Sequence, residues 1–222
     1  NYNIHIDENA VIKHSIFQNF ANSNKLYLTS NSVCEKNSFY NQNTYNFSDG
    51  FVRNFHHAHL NGEYSNASLK GCFFLKNQNI CSNKTNIIHN AENCVSDQTY
   101  KGILNDHSKA SYYSNTFVSE NAQKTEGYQL SKGILLTDNC SFFSKPELRI
   151  FADDVKCSHG STIGPVDESA LYYLRSRGIS KNEAMKMIIS SFIEEDLQNL
   201  DKNIAERVSK NLSEYLTNLV ND

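Results

Sequence analysis

Residues 145–178 read KPELRIFADDVKCSHGSTIGPVDESALYYLRSRG, and this stretch decides how the chain is organised. Its first part is a polar, strand-like segment, and a proline and an aspartate separate it from an amphipathic helix. Cys157 and His159 are two residues apart. On a strand that spacing puts both side chains on one face. Upstream of this junction the chain reads as short β segments, and downstream it reads as helix. The predicted fold class is therefore mainly β over residues 1–164, followed by a small α-helical domain over 165–222.

The 222 residues suffice for one sizeable core and a small second unit. Lys and Arg number 21 against 24 Asp and Glu, for a net charge of −3. The segment from Asp167 holds ten acids and seven bases, so the rest balances at fourteen of each. With no basic run to neutralise phosphates, nucleic acid is not expected as a partner. Mean hydropathy is −0.56, and no apolar run approaches the length of a bilayer span, so no membrane role is expected. The opening Asn1-Tyr2-Asn3 lacks both Met and an apolar leader, and it reads as the interior of a longer precursor.

Asparagine is the compositional outlier, with thirty residues of which twenty-four precede Asp167. Asn tolerates left-handed backbone and builds turns. The six cysteines (Cys34, Cys72, Cys81, Cys94, Cys140 and Cys157) contain no CxxC pair. They are expected mostly as small core residues in a reducing compartment.

From residue 1 to 164 short apolar alternations lead to Asn followed by a small residue. Examples are Asn9-Ala10, Asn31-Ser32, Asn66-Ala67, Asn93-Cys94, Asn121-Ala122 and Asn139-Cys140, at spacings of 18 to 35 residues. A turn signal recurring at one place relative to the strand favours a solenoid of stacked β rungs over a sandwich. In the helical part Asp167 is a suitable N-cap, Gly178 a C′ residue, and Ser180 with Glu183 a capping box. Ala184, Ile188, Ser191 and Phe192 mark one side of the next helix. An apolar stripe continues through Leu197, Leu200, Ile204, Val208, Leu212, Tyr215 and Leu219.

No P-loop, GxGxxG, HExxH or GxSxG motif is present. The Cys157–His159 pair suits iron, zinc or an iron–sulfur species, yet two ligands do not close a site. The plainer reading is a buried cysteine beside a hydrogen-bonded histidine. His57 and His59 share a strand face in the same way, without an acidic or thiol partner nearby. Arg175 and Arg177 beside Tyr172 and Tyr173 suit a protein interface, where Arg and Tyr serve as anchors.

Longer runs carry a resemblance. His89 with Ser96, Tyr100, Lys101 and Gly102 leads to Ala122-Gln123-Lys124-Thr125 and Lys145-Pro146-Glu147-Leu148. Then come Ala152 to Gly160 and Leu171 to Ile179. Together they resemble the SufB/SufD family of iron–sulfur cluster assembly proteins, and Cys-Ser-His-Gly favours the SufD branch. Family members usually carry an N-terminal helical region ahead of this part.

The resemblance implies a right-handed parallel β-helix and a non-enzymatic subunit of a SufBCD complex. A SufC-like ATPase would dock on the C-terminal helices, with Leu171, Tyr172, Tyr173, Leu174, Arg175, Arg177, Ile188 and Phe192 as candidates. A SufB-like subunit would face Cys157 and His159, and a transient iron–sulfur cluster would be shared there. No cofactor is expected in the isolated chain, for which self-association is the remaining partner expectation. Cytoplasm is the expected compartment, with a plastid-type stroma as alternative. The alternatives in function are a solenoid scaffold without cluster ligation and a carbohydrate-active β-helix enzyme.

Overall fold

A computed structural model describes residues 1–21, 24–198 and 200–221, without the side chains of 195, 198 and 218–221. Leu219 of the predicted apolar stripe falls outside the described side chains. Among the described residues twelve strands are followed by three helices. The strands are β1 (Tyr2–Ile6), β2 (Val11–Gln18), β3 (Lys25–Cys34), β4 (Phe39–Asn46), β5 (Phe51–Leu60) and β6 (Asn66–Leu75). They continue as β7 (Ile80–His89), β8 (Val95–Leu104), β9 (Lys109–Val118), β10 (Thr125–Leu135), β11 (Ser141–Ile150) and β12 (Val155–Pro165). The helices are α1 (Glu168–Ser176), α2 (Lys181–Gln198) and α3 (Lys202–Asn221).

Odd strands form one six-stranded sheet, β1-β3-β5-β7-β9-β11, and even strands form the other. Every neighbour pairing between these strands is parallel. The chain thus climbs two strands per turn through about six turns of a β-solenoid.

The true repeat is set by the corner between each odd strand and the next even one. Asn9, Asn37, Tyr64, Asn93 and Lys124 all have positive φ there, at steps of 28, 27, 29 and 31 residues. Each donates its amide to a carbonyl of the next turn, as Asn9 does to Lys36 at 3.0 Å and Asn37 to Glu63 at 2.9 Å. The small residue that follows is Ala10, Ser38, Ser65, Cys94 or Thr125. Asn9-Ala10 and Asn93-Cys94 therefore mark real corners, whereas Asn31-Ser32 and Asn66-Ala67 lie inside strands. The irregular spacing read from the sequence reflects this mixture.

The interior has two apolar clusters. One joins Val52, Phe73, Leu75, Tyr100, Leu104, Tyr112 and Phe142, and the other joins Ile6, Tyr40, Leu60, Leu69 and Ile87. Polar side chains lie between them and bond to one another. Gln18 pairs with Asn54 at 2.7 Å, Asn54 with Asn83 at 2.9 Å, and Gln98 with Thr116 at 2.8 Å. Such ladders pair many of the buried amide groups, although among the described residues Gln98 Oε1 and Gln42 Nε2 find no partner. At the corner glycine Gly62, an added Cβ would fall inside the backbone of Lys36, whereas one at Gly164 meets nothing within 4 Å. Gly62→Ala should therefore lose about 1–3 kcal/mol in urea unfolding while Gly164→Ala loses essentially none. Equal midpoints for the two variants would contradict this packing.

The helices fold back onto the outer face of the even sheet. Tyr45, Cys72, Phe74, Ile103 and Ile134 of that face share a core with Ile189, Ile193, Val208, Leu212, Tyr215 and Leu216. On α2 the fully buried positions are Ala184, Ile189 and Ile193, and Ile188 and Phe192 are partly buried beside them. Asp167 caps α1 through the amides of Ser169 and Ala170, and Gly178 follows α1 at φ 86°. The Ser180 hydroxyl accepts from the Glu183 amide at 3.3 Å. Among the described residues no helix is long and apolar enough to cross a membrane.

Candidate functional site

The last rung, β11 and β12, ends the solenoid. Among the described residues β11 pairs only with β9 and β12 only with β10, so each leaves one edge of backbone groups free. In register, Cys157 stands over Gly127 and His159 over Gln129. Gly127 and Gln129 are buried and face the lumen, so Cys157 and His159 belong to lumen-facing columns at its open end. The single-face placement expected from their spacing is what the strand delivers.

Each of the two has distinct surroundings. Cys157 is half-buried and packs beside Val118, Ala122 and Ala152. A Cβ built on Gly127 would lie 3.2 Å from its sulfur, 3.4 Å from Thr116 Cγ2 and 3.5 Å from Ser96 Oγ. Glycine at 127 is thus what lets the sulfur settle onto the rung below. Burial pushes the Cys157 thiol up, against a smaller opposing effect from the Gly127 backbone hydrogen bond. His159 is exposed. Gln129 beneath it is locked, donating to Thr116 Oγ1 at 2.8 Å and to the Glu147 carbonyl at 3.1 Å while accepting from Ser114 at 3.0 Å.

The other five cysteines are buried and unbridged. Among the described residues no three His, Cys, Asp or Glu side chains come together to hold a metal. His57 and His59 do share the outer face of the odd sheet. The Asn86 amide donates to His57 Nδ1 at 3.2 Å, and the His57 ring lies 4.0 Å from that of Phe55. Burial, then His59 and Lys84, hold the His57 pKa below the ordinary histidine value. His89, prominent in the resemblance, is buried and bonds Ser96 Oγ at 2.8 Å, so it supports the lumen two turns below Cys157.

On the helices, Tyr172 and Tyr173 are 77% and 58% exposed, and the Arg177 guanidinium lies 5.3 Å from the Tyr173 ring centre. Arg175 is exposed as well. Leu171 is buried, Leu174 is half-buried, and Ile188 and Phe192 pack toward the even sheet. Lys101, part of the resemblance but given no role by the sequence, has one in the structure. Its ammonium is 5% exposed, 2.7 Å from Asp196 Oδ2 and 2.9 Å from the Phe192 carbonyl. Lys101 alternates with inward residues like any strand lysine, and its partner is 95 positions away, so no local signal marked its burial or its ion pair.

The profile described as "SUF system FeS cluster assembly, SufBD core domain" matches residues 1–192. The iron–sulfur cluster assembly protein SufD of Escherichia coli (strain K12) is 35% identical over 158 residues, which is 71% of this chain and 37% of that protein. A SufBD family protein of Synechocystis is 32% identical over 126 residues, covering 57% of the chain and 28% of that protein. Protein ABCI7, chloroplastic, of Arabidopsis thaliana is 40% identical over 99 residues, 44% of the chain and 21% of that protein. The chain spans roughly a third or less of the length of these relatives. The profile match over 192 of 222 residues and the solenoid with its Cys-Ser-His-Gly strand agree: the chain belongs to the SufB/SufD family of iron–sulfur cluster assembly proteins, on its SufD branch.

Proposed function

We propose that this chain is the core of a non-ATPase, SufD-type subunit, which supports cluster formation at an interface with a SufB-type partner and docks a SufC-type ATPase. The observation that carries this reading is the open end of the solenoid. It offers a thiol and an imidazole on lumen-facing columns, and too few donors to hold a cluster alone. Free strand edges invite another chain to pair. Ile150 and Phe151 add apolar surface there, at 37% and 61% exposure. The cluster is cargo at this junction, and its remaining ligands would come from the partner. Cys157 supplies a soft sulfur donor and exposed His159 an imidazole able to ligate iron or carry a proton.

For the ATPase the exposed face of α1 is the better dock, through Tyr172, Tyr173, Arg175 and Arg177. Ile188 and Phe192 contribute by holding α2 in place. A bacterial and a chloroplastic relative point to bacterial cytoplasm or plastid stroma as the compartment. A carbohydrate-active site would need two free carboxylates across rungs. The strand carboxylates Asp97, Glu126 and Glu147 are instead paired with Lys70, Lys156 and Arg149, which argues against that reading.

Footprinting tests the interface. In the isolated chain iodoacetamide should label Cys157, and a SufB-type partner should slow that labelling at least about tenfold. His159→Ala should form the complex normally yet lower the iron and sulfide recovered after anaerobic reconstitution. Unchanged labelling of Cys157 in the complex would reject the interface. Full reconstitution by His159→Ala would leave a scaffold without ligation. Because the helices share the even sheet's core, Tyr172→Glu/Tyr173→Glu is a cleaner test of ATPase docking than truncation.

A further inference from the structure

The overall charge balance conceals a segregation that only the fold creates. On the outer face of the odd sheet stand Lys25, Arg53, Lys84, Lys109, Lys145 and Arg149, all exposed, against one carboxylate, Glu147. That is +5 on one face of a chain whose net charge is −3. Glu147 is already taken by Arg149, with contacts of 2.7 and 2.8 Å. Among the described residues the other five cations have no carboxylate within 4.0 Å.

The register arranges four of these charges, Lys25, Arg53, Lys84 and Arg149, in a line, with Asn115 at the one step between Lys84 and Arg149. Lys25 pairs with Phe51, and Arg53 lies two residues beyond it; Arg53 pairs with Ser82, and Lys84 lies two residues beyond that. Lys84 pairs with Tyr113, Asn115 follows two residues on, and Asn115 pairs with Glu147, two residues short of Arg149. Each step crosses one strand and advances two residues, about 8 Å on a rigid sheet. The line runs over a cleft of about 530 Å³ between Arg53, Lys84, Lys145 and Arg149. The Asn86 amide donates to His57 Nδ1, so the His57 ring carries its proton on Nε2, adding a donor to the cleft wall.

We propose that this face binds an extended acidic segment of a protein partner, its carboxylates following the diagonal from Lys25 to Arg149. In an extended peptide alternate side chains project on one side about 7 Å apart, close to the single steps from Lys25 to Arg53 and Lys84, with Arg149 two steps further. Tyr27, Tyr113 and Phe143 on this face are 63%, 38% and 56% exposed, ring surface of the kind on which bases stack, so single-stranded nucleic acid is the competitor that the test includes. Here Tyr27 packs with Phe51 at 5.5 Å, Tyr113 with Phe143 at 5.7 Å, and Lys84 covers Phe55 at 4.8 Å. The rings form an apolar floor that strengthens the charges above it. The rest of the chain is acidic and would repel a long polyphosphate more than a short peptide.

Fluorescence anisotropy with a labelled peptide of about twelve residues, alternating Glu and Ala, tests the proposal at about 50 and 200 mM salt. The wild-type chain should bind it, more weakly at the higher salt. Arg53→Glu/Lys84→Glu should weaken binding at least about tenfold. The control Lys13→Glu/Lys210→Glu, with the same charge change away from this face, should bind as wild type. Three results would overturn the proposal: no binding by wild type, equal loss in the control, or tighter binding of an oligothymidylate of similar length.

Discussion

Replacing Lys101 by methionine should cost about 3–5 kcal/mol of stability and loosen α2 from the solenoid. The lysine reaches out from the even sheet and is sealed beneath α2, where its ammonium meets Asp196, the Phe192 carbonyl and the Phe192 ring. Asp196 is 12% exposed and lies 3.9 Å from the buried Cys72 sulfur. Methionine fills much the same volume, so packing is nearly preserved, but the Asp196 carboxylate is left desolvated without its cation. That orphaned charge sets the size of the loss. Removing both charges in Lys101→Met/Asp196→Leu should recover most of it, because an apolar pair suits this site about as well as an ionic one. Urea unfolding gives the two free energies, and hydrogen exchange along α2 reports the loosening directly. A loss below about 1 kcal/mol in the single variant would mean the pair behaves as a surface ion pair. The consequence for function is mechanical: α1 and α2, which carry the proposed ATPase dock, are pinned to the solenoid through this pair and the shared apolar core.

What could be read from the sequence was whatever depends on neighbours within a few residues. The strand-to-helix change at Pro165, the Asp167 cap, the Gly178 terminus and the common face of Cys157 and His159 are all local. They follow from periods of two and 3.6 residues and from turn chemistry. The solenoid itself was half readable. Asn9, Asn37 and Asn93 occupy left-handed corners as Asn should, but Tyr64 and Lys124 hold equivalent corners. There the ladder of corner amides enforces the backbone, and the side chain gives no warning. Contacts between rungs were not readable at all. Arg53, Lys84 and Lys145 become neighbours only once a repeat of about thirty residues is in register. The same holds for Lys101 and Asp196. The open end of the site belongs to this class too, since a free edge is a property of the whole stack rather than of β12.

Acid should unfold this protein well before its carboxylates are fully protonated, because two neutral histidines are built into the lumen. His56 is fully buried, and burial, then the charges of His14 and His57, push its pKa down to about 3. Ser30 donates to Gln42 at 3.0 Å, so it must accept from His56 Nδ1 at 2.7 Å. Among the described residues His56 Nε2 has no partner, and a second proton there would be buried without an acceptor. Burial likewise lowers His89 to about 4. Thr125 donates to the Ala122 carbonyl, so His89 Nδ1 carries the proton and Nε2 accepts from Ser96. Protonating His89 would turn that acceptor into a donor facing a hydroxyl already oriented the wrong way. The sign follows from linkage. Below the ordinary histidine pKa near 6.5 the unfolded chain takes up protons that the folded chain refuses, so stability falls as pH falls. Each histidine contributes about 1.4 kcal/mol per pH unit until its folded pKa is reached. Together they remove on the order of 5 kcal/mol between about pH 7.5 and pH 4.5, comparable to the whole stability of many domains. Urea midpoints across this range should fall steeply, and His89→Gln should lessen the slope by about half. A flat profile down to about pH 5 would show that both rings accept protons in place, and that the lumen is wetter than its hydrogen bonds describe.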